Sequence, residues 1–151
     1  MTTEAIVEGP AVDTTAEESS EILQLFHLWN EALTTSATRV AALYGPGAVL
    51  VPTVSNTLRT TPAEILAYFE KLIRERKPRA TLTSVNIRHF GDTAINSGIY
   101  RFHFEVDGTW ADARYTFAYH RFSSGWLISA HHSSLLYDEI VAGKASLDSS
   151  F

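Results

Sequence analysis

Residues 94–105 read AINSGIYRFHFE, residues 110–122 read WADARYTFAYHRF, and residues 125–135 read GWLISAHHSSL. Side chains along a β-strand point alternately to opposite faces, so each run divides into two sets. In the first, Tyr100, Phe102 and Phe104 share one face, while Ile99, Arg101 and His103 share the other. In the second, Tyr115, Phe117 and Tyr119 oppose Trp110, Asp112, Arg114, Thr116, Ala118 and His120. Asp107-Gly108 and Ser123-Ser124-Gly125 are turn sequences between the runs. Upstream, Thr81–Phe90 also alternates and ends in Gly91-Asp92. Four strands (Thr81–Phe90, Ala94–Glu105, Trp110–Phe122, Trp126–Leu135) joined by tight turns predict an antiparallel meander.

The chain before Arg79 follows a helical period instead. Thr15 and Glu18 form a capping-box pattern, and Ile22, Leu25, Phe26, Trp29 and Leu33 follow at helical spacing, predicting a helix over 16–33. A short helix is expected over Thr38–Tyr44, stopped by Gly45-Pro46-Gly47, and Ala48–Thr53 reads as a strand. Thr61-Pro62-Ala63-Glu64 combines an N-cap, a first-turn proline and a capping glutamate. Ile65, Leu66, Phe69, Leu72 and Ile73 then form the stripe of a third helix ending before Pro78. The order α-α-β-α-β-β-β-β predicts an α+β domain over 16–138, with three helices on one face of a curved, mainly antiparallel sheet. Residues 1–15 are expected to be a disordered acidic arm and 139–151 a flexible tail.

The composition excludes several function classes. The 151 residues contain no cysteine, which removes disulfides, thiolate zinc sites, iron–sulfur clusters and a cysteine nucleophile. No apolar run approaches the ~20 residues needed to span a bilayer, and the start lacks the basic and apolar regions of a secretory signal, so no membrane partner and a cytoplasmic location are expected. The net charge is −5, yet residues 1–21 carry six acidic residues and no basic one, leaving 11 acidic and 12 basic residues elsewhere. The cluster Lys71, Arg74, Arg76, Lys77 and Arg79 reads as a solvated helix end complementing the helix dipole, and no nucleic-acid partner is expected. No glycine-rich phosphate loop or other cofactor motif is visible, so no cofactor is expected.

The last strand departs from a pure core pattern. Plain alternation puts Leu127, Ser129, His131 and Ser133 on one face, and Trp126, Ile128, Ala130, His132 and Ser134 on the other. Buried Ser and His groups without partners cost about 1–3 kcal/mol each, so His-His-Ser-Ser in a packed strand reads as the wall of a functional pocket. His131 and His132 point to opposite faces and cannot easily share a metal ion, and no carboxylate–histidine spacing on a helix supports one. The Gly-x-Ser-x-Gly elbow of a serine hydrolase is missing. An aromatic-walled pocket remains, with Tyr68, His131 and Ser133 as candidate catalytic groups and Thr53, Tyr100, Phe102, Tyr115 and Phe117 as candidate ligand-binding residues. Donors in such a cavity orient a small ligand or stabilise an oxyanion. The other, mixed sheet face, extended by Trp126, Ile128 and Ala130, reads as a polar interface between two copies.

Several segments carry a family resemblance: Leu28–Leu33 (LWNEAL), Val49–Asn56 (VLVPTVSN), Arg59–Ile65 (RTTPAEI), Ser97–Tyr100, Ala113–Phe117 and His131–Ser134. Together, across about residues 20–138, the chain resembles the nuclear-transport-factor-2-like superfamily, whose fold is a cone-shaped α+β domain. Within it the chain is similar to one branch, which holds the association (hub) domain of calcium/calmodulin-dependent protein kinase type two, the metal-free iota-class carbonic anhydrases and the SgcJ/EcaC-type proteins. The SgcJ-type resemblance implies a pocket protein that binds or converts a hydrophobic intermediate of an enediyne polyketide antibiotic. The iota-class resemblance implies hydration of carbon dioxide, with Thr53, Tyr68 and Ser133 holding substrate or water; Ala130 stands where that family has the first of three histidines. The hub resemblance implies oligomerisation through the sheet; Tyr100, Phe117 and Ser133 occupy positions where that domain has arginines.

Overall fold

A computed structural model describes residues 13–53 and 55–137. The acidic arm up to residue 12 and the tail over 139–151 lie outside the described residues. The elements are α1 (Ala16–Leu33), α2 (Ala37–Ala41), β1 (Tyr44–Val51), α3 (Pro62–Arg76), β2 (Pro78–Phe90), β3 (Thr93–Phe104), β4 (Thr109–Phe122) and β5 (Gly125–Leu135). Both expected capping boxes form: Thr15 and Glu18 at α1, Thr61 and Glu64 at α3, each side chain bonding the other's backbone N–H. Just before the first cap, Thr14 Oγ1 accepts a hydrogen bond from the His89 backbone N–H at 3.0 Å, tying the start of α1 to β2.

The sheet order is β1-β5-β4-β3-β2. β2 to β5 form the predicted meander, and β1 runs parallel to β5. The short second helix ends earlier than expected, at Ala41, because Leu43 O accepts from Ile128 N at 2.8 Å and Tyr44 pairs with Ile128. The strand therefore takes up the residues that the local pattern assigned to a helix end.

α1 buries Ile22, Phe26, Trp29, Ala32 and Leu33, and α3 buries Ile65, Phe69 and Leu72. Their apolar stripes cover the inner sheet face, where Tyr100, Phe102, Phe104, Tyr115, Phe117 and Tyr119 are all buried. The aromatic sets read from the alternation are thus the core.

Two β-bulges change which residues face inward. Ala118 pairs with Ala130 and Tyr119 with Ile128, so β5 holds one extra residue, Ser129. An inserted residue shifts the alternation by one, and every side chain before it changes face. Ile128 is 2% exposed, and Trp126 packs against the same core. The expectation that Trp126 and Ile128 extend the mixed outer face is therefore corrected: Ala130, His132 and Ser134 remain there, the first two exposed and Ser134 half-buried. The second bulge is at Thr83 in β2, where Leu82 pairs with Tyr100 and Ser84 with Ile99.

Candidate functional site

Thr53, Asn96, His131 and Ser133 are the buried polar side chains among the described residues. Three of them meet at one place. β5 turns His131 and Ser133 inward, two residues apart, and Thr53 follows β1, the parallel neighbour of β5. β3 contributes Tyr100 and α3 contributes Tyr68. With Trp29, Leu50, Pro52, Phe69, Leu72 and Phe102 these side chains enclose a cavity of about 20 Å³, room for one or two water-sized groups.

A continuous chain of hydrogen bonds crosses this wall. Trp29 Nε1 donates to the Tyr44 hydroxyl at 3.1 Å, and that hydroxyl lies 2.8 Å from His131 Nδ1. His131 Nε2 lies 3.1 Å from the Tyr100 hydroxyl, which donates to Ser133 Oγ at 2.8 Å. Thr53 Oγ1 donates to the same Ser133 oxygen at 2.5 Å. The directions follow from counting protons. A tyrosine hydroxyl has a single proton, and Tyr100 gives its own to Ser133. Tyr100 therefore accepts from His131 Nε2–H, and His131 Nδ1 accepts the Tyr44 proton. Ser133 Oγ receives two donors, and its own proton has no acceptor among the described residues. The chain delivers one polarised donor to the cavity, since aligned hydrogen bonds strengthen one another.

The electrostatics agree with this assignment. Burial, assisted by the neighbouring His132, lowers the His131 pKa from 6.5 to about 3, so the imidazole is neutral at physiological pH. Its ring stacks on Phe117 at 4.0 Å and meets the edge of Trp29 at 5.5 Å. Burial raises the pKa values of Tyr44, Tyr68 and Tyr100 well above the usual phenol range. These phenols stay protonated, so they are donors and not bases. No Asp, Glu, Lys or Arg lines the cavity. It can bind and orient an oxygen acceptor, and it holds no charged acid or base.

The structure brings together Thr53, Tyr68, Tyr100, Phe102, His131 and Ser133 from the sequence-derived set. It leaves out two. The Tyr115 hydroxyl donates to Asn96 Oδ1 at 2.9 Å, away from the cavity, and Phe117 lies behind His131 as its stacking partner. Both support the wall without lining it. Sequence reasoning missed Trp29 as a donor and Tyr44 altogether. Tyr44 meets His131 across 87 residues of chain, a contact that no local pattern signals. Asn96 had a visible signal, an amide in the same phase of β3 as Tyr100. His131 and His132 point to opposite faces as expected, one buried and one exposed. Among the described residues no three His, Asp or Glu side chains converge as metal ligands.

Comparison with known proteins places this geometry in a family. Residues 18–136 match the calcium/calmodulin dependent protein kinase II association domain family. A search of the curated proteins gives no significant match. Among solved structures, a Xanthomonas campestris protein described as an association domain of that kinase type is 36% identical. It superposes with a TM-score of 0.76, covering 87% of this chain and 96% of that one. An NTF2-like protein with a cystatin-like fold from Novosphingobium aromaticivorans is 18% identical, with a TM-score of 0.70, over 85% of this chain and 88% of that one. An NTF2-like family protein from Streptomyces avermitilis, described as a dehydratase, is 16% identical, with a TM-score of 0.73, over 81% and 99%. The last two share the nuclear-transport-factor-2-like fold alone. The match over nearly all the described residues, together with the identity to the Xanthomonas campestris domain, shows that this chain belongs to the calcium/calmodulin dependent protein kinase II association domain family.

Proposed function

We propose that this chain is a self-associating pocket domain that binds a small molecule through an oxygen acceptor presented to Ser133. The observation that carries this reading is the hydrogen-bond chain Trp29–Tyr44–His131–Tyr100–Ser133, which ends in an unused donor inside an uncharged cavity. In the SgcJ-type form of the reading, the ligand is a hydrophobic intermediate of an enediyne polyketide and the protein acts in the cytoplasm. Deleting the gene from its host should then lower the product titre. Restoring the gene with Ser133→Ala should fail to recover it; an undiminished titre after deletion would refute this form.

The size of the cavity favours a second reading. About 20 Å³ suits a molecule as small as carbon dioxide, with Thr53, Tyr68 and Ser133 around it. A stopped-flow hydration assay after chelation should then show a rate above buffer that falls in Tyr68→Phe and Ser133→Ala. A rate equal to buffer rejects the carbonic anhydrase reading.

Self-association through the outer sheet face is supported by the family of the chain and by what that face displays. Arg101 binds Asp112 with both ends of its guanidinium (2.8 and 3.1 Å) and lies 3.8 Å over the Trp110 ring. Val49 and Val51 of β1 pair with Ala130 and His132 of β5, extending the face. A non-catalytic dimer or hub predicts that Ser133→Ala leaves function intact. Ala130→Glu should convert the assembly to a folded monomer in light scattering, because like charges would meet across a two-fold contact. Ile128→Asp should unfold the chain instead, since Ile128 lies in the core. A wild-type monomer would refute the interface.

A further inference from the structure

Two cavities share a wall. Tyr68 and Leu72 line the buried cavity, and the same two side chains line an outer groove of about 400 Å³ with Thr57, Arg59, Glu64 and Lys71. That volume lies within the range of small-molecule sites, which begin near roughly 300 Å³; the inner space does not. The two residues common to both spaces, Tyr68 and Leu72, lie one turn apart on α3. The Tyr68 hydroxyl makes no hydrogen bond with a described residue. Its ring packs against the margin of the core, edge-on to Phe69 at 5.1 Å and under the Arg59 guanidinium at 5.2 Å.

The groove has a definite charge pattern. Arg59 is anchored from both sides: its backbone exchanges two hydrogen bonds of 2.9 Å with Leu50, and its guanidinium donates to Ser55 Oγ and the Thr57 carbonyl. Lys71, one turn after Tyr68 on α3, makes no ion pair with a described residue. Glu64 is already engaged, because its Oε1 accepts from the backbone N–H groups of Thr60 and Thr61 at 2.9 and 3.2 Å. The groove therefore offers two cations and one carboxylate occupied by its own helix cap.

We propose that Tyr68 and Leu72 are a door, and that the joined spaces take an elongated ligand. Its carbonyl oxygen sits on Ser133 inside, an aliphatic stretch passes Tyr68 and Leu72, and an anionic group lies outside against Arg59 and Lys71. This rests on the pocket reading above and adds the shape and polarity of the molecule. The unused Ser133 proton selects an acceptor at the buried end, an apolar partition selects methylenes, and a cationic rim selects a negative charge.

The probes are methyl-ketone acids of increasing chain length, from 4-oxopentanoate to 8-oxononanoate, the methyl esters of the same acids, and fatty acids of equal length without the ketone. Binding is read by calorimetry and by the Trp29 indole N–H resonance. One chain length should bind best. For it, Arg59→Gln and Lys71→Gln should each weaken the acid about threefold and leave its ester unchanged, the scale of an exposed ion pair. Ser133→Ala should weaken acid and ester alike by about tenfold, a buried hydrogen bond lost, and should leave the ketone-free acid unchanged. Tyr68→Ala should speed association. If Ser133→Ala weakens the ketones while neither cation matters, the composite site falls and the pocket reading stands. If the ketones bind but Ser133→Ala changes nothing, the pocket reading falls as well. If no probe binds the wild type at millimolar concentration, the ligand class proposed here is wrong.

Discussion

Lowering the pH from 6.5 to 4.5 should cost the folded protein roughly 2–3 kcal/mol through one side chain, His131. Its imidazole is held neutral in the fold, with a pKa lowered to about 3 first by burial and then by the charge of His132. In the unfolded chain the same group titrates near 6.5. The folded pKa lies below the unfolded one, so the stabilisation is whole above pH 6.5. As pH falls the unfolded state takes up the proton first, and stability declines by about 1.36 kcal/mol per unit until the folded pKa is reached. The groups around the ring are Trp29, Tyr44, Tyr100 and Phe117, none of them a counter-ion for an imidazolium. Glu18, Glu64 and Asp107 have pKa values lowered by backbone and side-chain hydrogen bonds at caps and turns. Their stabilisation starts to fall only near the ordinary carboxylate range of about 4 and is lost down through those lowered values, so it enters this window only at its acid edge. Urea unfolding of the wild type and His131→Gln across the window should give a steeper decline for the wild type. The His131 ring resonances should keep neutral-imidazole shifts at pH 5. Parallel stability curves, or an imidazolium signal at that pH, would contradict the assignment.

Gly98→Ala should destabilise the fold by about 3 kcal/mol or more, lowering the melting temperature by roughly 10 °C for a domain of this size. A Cβ built on Gly98 would stand 1.9 Å from the Ser84 carbonyl oxygen, 2.7 Å from its carbon and 2.9 Å from the Tyr115 hydroxyl. The first two obstacles are backbone, brought in by the Thr83 bulge in β2, and they cannot yield without breaking the β2–β3 ladder. The third is the phenol that holds Asn96. Gly91 is the control: it has a φ of 67° but open space around its Cβ position, so Gly91→Ala should cost only about 1 kcal/mol. Equal losses at the two sites would show that backbone freedom, not the close approach of β2, sets the requirement at Gly98.

These two residues mark what the sequence reading reached. His131 was legible because an imidazole in the inner phase of a packed strand must have partners. The Gly98 requirement was not, because it depends on a bulge in a different strand. The capping boxes at Thr15 and Thr61 were legible for the same reason as the aromatic stripes: both motifs lie within one helical turn or one strand pleat. The inward turn of Trp126 and Ile128 was hidden, since the extra residue Ser129 shows itself only against the register of β4.

By itself the sequence determined the helices, the meander, the aromatic inner face and the set Thr53, Tyr68, His131 and Ser133, because periodicity and capping are local and act on neighbours along the chain. The tertiary structure alone decided that Tyr44 orients His131, that Tyr115 and Phe117 stand behind the pocket, that the inner cavity has room for little more than one or two waters, and that Tyr68 divides it from a cationic groove. Those properties depend on contacts between residues far apart in the chain and on the volume left after packing. Neither is written in the spacing of any one segment.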